Sequence, residues 1–188
     1  MPDFQNEHEE TAFYDHGATD RDAAVALGAI VENRLTIAII LALRQDAAVA
    51  DELFRRNGPL GNFGTKIRLA YMLRLIDEDM LRDLKIVNKI RNAFAHDVAI
   101  TNFAMAPVTD LIASLKAYKV HQELYESEKA ALTDASQSIE KALVSILRNE
   151  LEHRRSQFHM CMRFYINTLV QLEKTLVTTA TVQKSDER

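Results

Sequence analysis

The chain has 188 residues, which suits one domain, and a fold of this size buries enough surface to need no disulfide or metal. Its net charge of -4 excludes a broadly basic nucleic-acid-binding surface, although a local basic patch is compatible with it. The one cysteine excludes an intrachain disulfide and a multi-cysteine metal site. The longest apolar run, residues 35–43, is too short to cross a bilayer as a helix, and no signal peptide is recognisable. We therefore expect a cytoplasmic protein without membrane contacts.

Helical patterning dominates the chain after an acidic N-terminal stretch. Residues 1–18 lack a helical stripe, and we predict a disordered tail there. From residue 20 onward glycine and proline are scarce, and the alternation typical of strands is not found. The apolar spacing predicts helices over residues 20–45, 47–56, 65–75, 77–96 and 107–126, with a loop at 57–64 and a connection at 97–106.

The last third of the chain continues the helical spacing. Apolar residues recur in this pattern from residue 132 to residue 176, and the polar sequence EHRRSQ interrupts them at 152–157. We predict two antiparallel helices here rather than one, followed by a disordered tail at 179–188. The sequence thus predicts an all-α fold, in which residues 19–178 form a single up-and-down bundle of about six or seven helices.

Several patterns look like functional motifs but fail on spacing. The loop GPLGNFGTK, residues 58–66, has its glycines and lysine in the wrong order for a phosphate loop. Glu150 and His153 have the spacing of a di-iron ligand pair, but no second copy is found. The turn before the third predicted helix is too long for a helix-turn-helix. We expect no metal and no cofactor, and we assign a structural role to Gly58, Pro59 and Gly61, with the glycines supplying unusual backbone angles.

The helix that ends in KIRNAFAHD, residues 89–97, has two distinct faces when it is projected at about 100° per residue. One face is apolar and consists of Met80, Leu84, Val87, Ile90, Phe94 and Val98. The opposite face is polar and mostly basic, and consists of Glu78, Arg82, Lys85, Lys89, Asn92 and His96. Arg82, Lys85 and Lys89, with Asp97 beyond the helix end, are therefore candidate binding residues for phosphates or another partner.

Arg91 departs from this division, because it falls on the apolar face, about 140° around the helix from His96. A guanidinium in an apolar setting needs a partner or a route to water. Glu32, in the first predicted helix, is the preferred partner, and Asp97 is the local alternative. His96 lies at the helix C-terminus, where the helix dipole favours a cation.

Arg91, Asn92 and His96 match the Arg-x4-His signature of the HEPN superfamily, in which a polar residue often follows the arginine. HEPN domains are helical bundles that usually dimerise, and many are metal-independent ribonucleases. The resemblance implies a HEPN-like bundle and a homodimer. In a HEPN ribonuclease, His96 would be the general acid or base and Arg91 would stabilise the charged transition state, while Asn92 would orient His96 or the RNA.

A longer match covers nearly the whole chain after residue 20. The GPLG loop, the helix that follows it, and the helix that ends in NKIRNAFAHD resemble the mannitol operon repressor family of bacteria. The matching positions are Gly58, Pro59, Leu60, Gly61, Lys66, Arg68, Leu69, Arg91, His96 and Asp97. This resemblance implies an all-helical protein that regulates transcription without a recognised DNA-binding motif.

Different functions remain open from the sequence. The preferred hypothesis is a non-enzymatic regulator that represses transcription through a protein partner or through DNA. The alternative is a HEPN-type ribonuclease that acts on RNA with Arg91 and His96. A third reading is a dimerisation unit built on the C-terminal helices. The ribonuclease requires Arg91 and His96 to be exposed in a common cleft, whereas the regulator does not.

Overall fold

The computed structural model describes residues 19–44, 46–120, 122–123 and 154–186, and every regular element in these ranges is a helix. The helices are α1 (Asp20–Ala42), α2 (Ala47–Phe54), α3 (Phe63–Met72), α4 (Glu78–His96), α5 (Val108–Ser114) and α6 (Arg154–Asp186). The predicted all-α fold is confirmed. The predicted N-terminal tail lies outside the described residues, as does the first of the two predicted C-terminal helices.

α1 is the central helix and packs against α3, α4 and α6. It begins with a capping box, in which Thr19 and Asp22 each accept the backbone N–H of the other at 3.2 Å. Its buried side consists of Ala23, Ala24, Leu27, Gly28, Val31, Leu35, Ala38 and Ile39. By length and hydropathy α1 is the one helix of the described ranges that could cross a membrane, but its apolar residues include this buried side.

α4 follows the predicted pattern over most of its length. Asp77 caps its first turn by accepting the Met80 N–H at 2.8 Å, and acidic residues occupy that turn. The predicted core face is buried at Met80, Leu84, Val87, Ile90 and Phe94. The prediction is wrong for Val98, whose side chain is 87% exposed. The physical reason is that the helix ends at His96 and Asp97 is extended, so Val98 leaves the helical face.

The predicted helix 107–126 is interrupted. α5 ends at Ser114, Leu115 is extended, and the chain becomes helical again over residues 116–120. The buried carboxylate of Asp83 explains the break, since it accepts the backbone N–H groups of Lys116 at 2.9 Å and Ala117 at 3.1 Å. The carboxylate therefore acts as a helix cap supplied by a different helix.

α6 carries the predicted apolar stripe, and its residues Phe158, Met162, Tyr165 and Leu169 are buried. The stacked rings of Phe158 and Phe103, with centroids 4.8 Å apart, join α6 to the connection after α4. The prediction of a disordered tail from 179 is wrong as far as Asp186, where the helix ends. The physical reason is that neither glycine nor proline occurs between residues 154 and 186, so nothing breaks the helix.

Candidate functional site

The glycine loop between α2 and α3 has a structural geometry. A Cβ at Gly58 would lie 2.4 Å from the Glu52 carbonyl oxygen, and one at Gly61 would lie 2.5 Å from the Arg55 carbonyl oxygen. Neither glycine has a left-handed φ, so the expectation of unusual backbone angles is wrong. Glycine is needed here because two backbone segments approach closely.

A partly buried ion cluster centred on Glu32 connects α1, α3 and α4. Glu32 Oε1 accepts Lys66 Nζ at 2.9 Å, and Glu32 Oε2 accepts Arg91 Nη1 at 3.0 Å. The Lys66 side chain is 8% exposed, the Glu32 side chain 15% and the Arg91 side chain 28%. The predicted pair of Arg91 with Glu32 is therefore present. Asp97, the local alternative, instead accepts the Ala99 N–H at 2.9 Å.

Lys66 and Gly28 complete this cluster, and the sequence analysis missed both roles. Lys66, which looked like part of a phosphate loop, is buried and directed at Glu32. Gly28 lies one helical turn before Glu32, and a Cβ there would lie 2.9 Å from Arg91 Cδ. The absent side chain leaves the space through which the Arg91 stem passes over α1. The signal available in the sequence was that Gly28 is the one glycine within α1.

Arg91 and His96 are not brought together within the chain. α4 remains helical through His96, so the two residues stay about 140° apart around its axis. The Arg91 guanidinium is bound to Glu32, whereas His96 and Asn92 are exposed. The unwinding near Ala95 that a shared site within one chain would require is therefore absent.

The turn that carries His96 and Asp97 is held by Arg21, which the sequence analysis also missed. The Arg21 guanidinium donates to the carbonyl oxygens of Phe94, of Asp97 at 2.9 Å and of Ile100 at 2.8 Å. The carbonyl groups at a helix C-terminus lack partners within the helix and carry its negative dipole end. The Arg21 guanidinium supplies hydrogen-bond donors and a positive charge at this helix end, and it connects the start of α1 to the end of α4.

The polar face predicted for α4 is exposed along its whole length, at Glu78, Arg82, Lys85, Lys89, Asn92 and His96. Arg82 donates to Asp79 at 3.0 Å. Lys85 and Lys89 form no salt bridge with any residue in the described part of the chain. These two ammonium groups, one helical turn apart, are thus available to an outside partner.

Asp83 is a buried polar residue that the sequence analysis did not single out. It is 2% exposed, and beside the two N–H groups already described it accepts the Tyr165 hydroxyl at 2.7 Å. Burial, with the neighbouring Cys161 and Asp83, raises the pKa of Tyr165, so this hydroxyl keeps its proton. Asp83 thereby links α4, α6 and the segment after Leu115. A cleft of about 330 Å³ opens above this link, with apolar walls that include Met80, Val120 and Phe164.

The remaining candidates for chemistry are Cys161, which lies in the core, and His159, which is half-buried. Burial raises the pKa of the Cys161 thiol to about 12, which keeps it protonated and poorly nucleophilic. Burial, together with the charge of Arg155, lowers the pKa of His159 to about 4. Within the described ranges, no group of three or more His, Cys, Asp or Glu residues is placed to hold a metal ion.

These features define an all-α bundle in which an ion cluster connects three helices and α4 exposes a basic face. A sequence profile of the family described as MtlR, mannitol repressor, matches residues 23–173, and the chain belongs to this family. The fold is similar to a chain of the X-ray structure of the MtlR-HPr complex from Escherichia coli, with 17% sequence identity and a TM-score of 0.52. The similarity covers 85% of this chain and 91% of that one. A comparison with curated proteins gives no match.

The coarse function that follows is that of a mannitol-repressor-like regulator. The predicted membership of the mannitol repressor family is confirmed by the profile match. The HEPN resemblance, the homodimer and the roles of the individual site residues are not tested by these comparisons and stay predictions.

Proposed function

We propose that this protein is cytoplasmic and represses transcription by binding a protein partner, rather than by binding DNA on its own. The observation that carries the proposal is the family match over residues 23–173. The structurally similar protein was solved in a complex with HPr, and we extend that kind of partner to this chain. The overall charge of -4 supports the same conclusion, since it opposes binding to the phosphate backbone.

The geometry around Arg91 favours the regulator over the ribonuclease alternative. A ribonuclease of the HEPN type needs a guanidinium that is free to meet the charged phosphate. Arg91 is held 3.0 Å from Glu32, on a different side of α4 from His96.

The connection between α2 and α3 spans residues 55–62. It is longer than the turn of about three or four residues in a helix-turn-helix, which disfavours DNA binding through that motif.

The first test measures binding of the purified chain to Escherichia coli HPr and to mixed-sequence duplex DNA, at low and at physiological salt. Binding to HPr that persists at physiological salt supports the proposal. Binding to DNA alone, with affinity that falls steeply with salt and is lost when Lys85 and Lys89 are changed to alanine, would replace the protein partner by DNA.

A second test addresses the ribonuclease directly. The chain is incubated with mixed-sequence RNA without metal, beside folded Arg91→Ala and His96→Ala variants. We expect no cleavage by any of the three proteins. Cleavage by the unmodified chain that both variants lose would establish the ribonuclease and contradict the non-enzymatic assignment.

Repression itself is tested in cells. The chain is expressed in an Escherichia coli strain that lacks its own MtlR and carries a mannitol-operon reporter. Lower reporter expression supports a role in transcription. Unchanged expression, despite binding of the chain to HPr in that strain, would separate partner binding from repression and remove the transcriptional part of the proposal.

A further inference from the structure

The exposed side of α3 is unusual because it combines a cation with large apolar residues. Arg68, Tyr71 and Met72 occur at helical spacing and are all exposed, Tyr71 by 38% and Met72 by 76%. The other side of α3 is buried at Phe63, Lys66, Ile67 and Ala70. Among the described residues, the packing of α3 therefore leaves the face that carries Met72 exposed.

The contact between α3 and α4 determines what lies beside this face. The two helices are consecutive, pack together and are joined by the short segment 73–77, so they run antiparallel. A Cβ at Gly64 would lie 3.5 Å from Asn88 Nδ2, so these two positions face each other. Because both helices rise about 1.5 Å per residue, we expect Arg68, one turn further along α3, to lie level with the turn of α4 that carries Lys85. By the same geometry we expect Tyr71 and Met72 to lie level with Leu81.

The combined surface has a basic end and an apolar end, and we call it the α3–α4 face: Arg68, Tyr71, Met72, Lys85 and Lys89. Its cations form no salt bridge with any described residue. The nearby acids lie towards the start of α4, where Asp79 already pairs with Arg82 and Lys116, and Glu78 is exposed. Two lysines one turn apart repel each other, so this arrangement contributes nothing to the stability of the helix.

We propose that the α3–α4 face is the docking site for an acidic protein partner, which inserts against Tyr71 and Met72 and pairs its carboxylates with Arg68, Lys85 and Lys89. This inference rests on the proposed function, which requires a protein partner. Tyrosine, methionine and arginine are enriched in protein interfaces, which fits Arg68, Tyr71 and Met72, and the two lysines fit the polar rim that surrounds such a centre. Exposed apolar residues favour a protein over nucleic acid, whose surface is mainly phosphate. In a two-fold contact this face would meet only its own residues, none of which is acidic, so its cations would gain no carboxylate, which disfavours a second copy as occupant.

The experiment measures the Kd for Escherichia coli HPr by calorimetry, with charge reversals at the face and a matched reversal elsewhere. Arg68→Glu, Lys85→Glu and Lys89→Glu each weaken binding by roughly tenfold or more. Lys119→Glu is the control, because Lys119 is exposed and follows the residues that the Asp83 carboxylate caps. Asp83 lies about 140° around α4 from Asn88, which faces α3. Met72→Ser weakens binding by roughly tenfold, and Val177→Ser, a change at another exposed apolar residue, leaves it unchanged.

The possible outcomes distinguish a failure of the α3–α4 face from a failure of the proposed protein-partner function. If HPr binds the unmodified chain and all face variants equally, the α3–α4 face is overturned while the protein-partner function stands. If HPr binds none of them, that function fails for HPr, and a fluorescent decaglutamate peptide with a C-terminal leucine becomes the probe. Peptide binding that the face variants lose, and that Lys119→Glu retains, keeps the face as an acidic docking site. The docking site is overturned if the peptide does not bind, if duplex DNA displaces the peptide, or if the chain self-associates through the α3–α4 face.

Discussion

The two sides of α4 place cations in opposite physical situations. On one side Arg91 passes over Gly28 and shares the carboxylate of Glu32 with Lys66. On the other side Lys85 and Lys89 are exposed and form no salt bridge within the described part of the chain. The comparison teaches that an arginine and a histidine close in sequence need not form one site. The cation with a partner holds the helices together, and the cations without one are available for binding.

The largest effect is expected where the ion cluster is broken. Glu32→Gln leaves Lys66 and Arg91 without their carboxylate, and breaking a buried pair costs about 3–5 kcal/mol. Because the Arg91 side chain is 28% exposed, we expect a smaller loss in the free energy of unfolding, about 2–3 kcal/mol. Urea denaturation measures it, and Glu52→Gln on the exposed surface of α2 is the control. An equal effect of both substitutions would mean that the cluster does not stabilise the fold.

Gly28→Ala tests the close approach of Arg91 to α1. The new Cβ would lie 2.9 Å from Arg91 Cδ, so the arginine must shift, and we expect a loss of about 1–2 kcal/mol. When Arg91 is first replaced by alanine, the contacts with Cδ at 2.9 Å and Cγ at 3.1 Å are gone and only the contact with Cβ at 3.2 Å remains. Because alanine is favoured over glycine within a helix by about 1 kcal/mol, the same substitution should then cost clearly less than in the unmodified chain. A loss of equal size in both backgrounds would show that Gly28 serves another contact.

His159 on α6 tests how the burial of a titratable side chain makes the stability of the fold depend on pH. Burial holds the pKa of His159 near 4, below its ordinary value of 6.5, so the folded state binds fewer protons than the unfolded one. The stability contributed by neutral His159 is complete above about pH 6.5 and is lost as the pH falls towards 4. We expect about 1 kcal/mol of such loss, reduced by the partial exposure of the ring. His159→Gln should flatten the denaturation profile in this window, and the exposed His96→Gln serves as the comparison.

The smallest expected effect on stability is at the exposed lysines. Lys85→Glu replaces a repulsive pair with a favourable glutamate-to-lysine pair one turn apart, so we expect a gain of about 0.3–0.5 kcal/mol. The same substitution weakens partner binding if the α3–α4 face is the docking site. Thermal melting and calorimetry on one sample measure both quantities. A loss of stability on this substitution would mean that Lys85 has an internal role.

Local features of the fold follow from the sequence, and the contacts between distant segments do not. The limits of α4, its exposed basic face and the pair of Arg91 with Glu32 were predicted, since each depends on helical periodicity or on the need of a buried charge for a partner. Lys66, Gly28 and Arg21 were missed because their roles depend on how α1, α3 and α4 cross. Asp83 was missed for the same reason, and its capping of residues 116 and 117 also explains why the predicted helix 107–126 is interrupted.

Arg21 has a consequence for local opening of the structure. One guanidinium binds the carbonyl oxygens of residues 94, 97 and 100 at the same time, so we expect the turn that presents His96 and Asp97 to open as a unit. The free energy of that opening is separate from the free energy of unfolding the bundle. The amide N–H groups of Asp97, Ala99 and Ile100 donate within the turn itself, so we expect their hydrogen exchange to become faster when Arg21 is replaced. The conformation of the motif is thus set far from it in sequence.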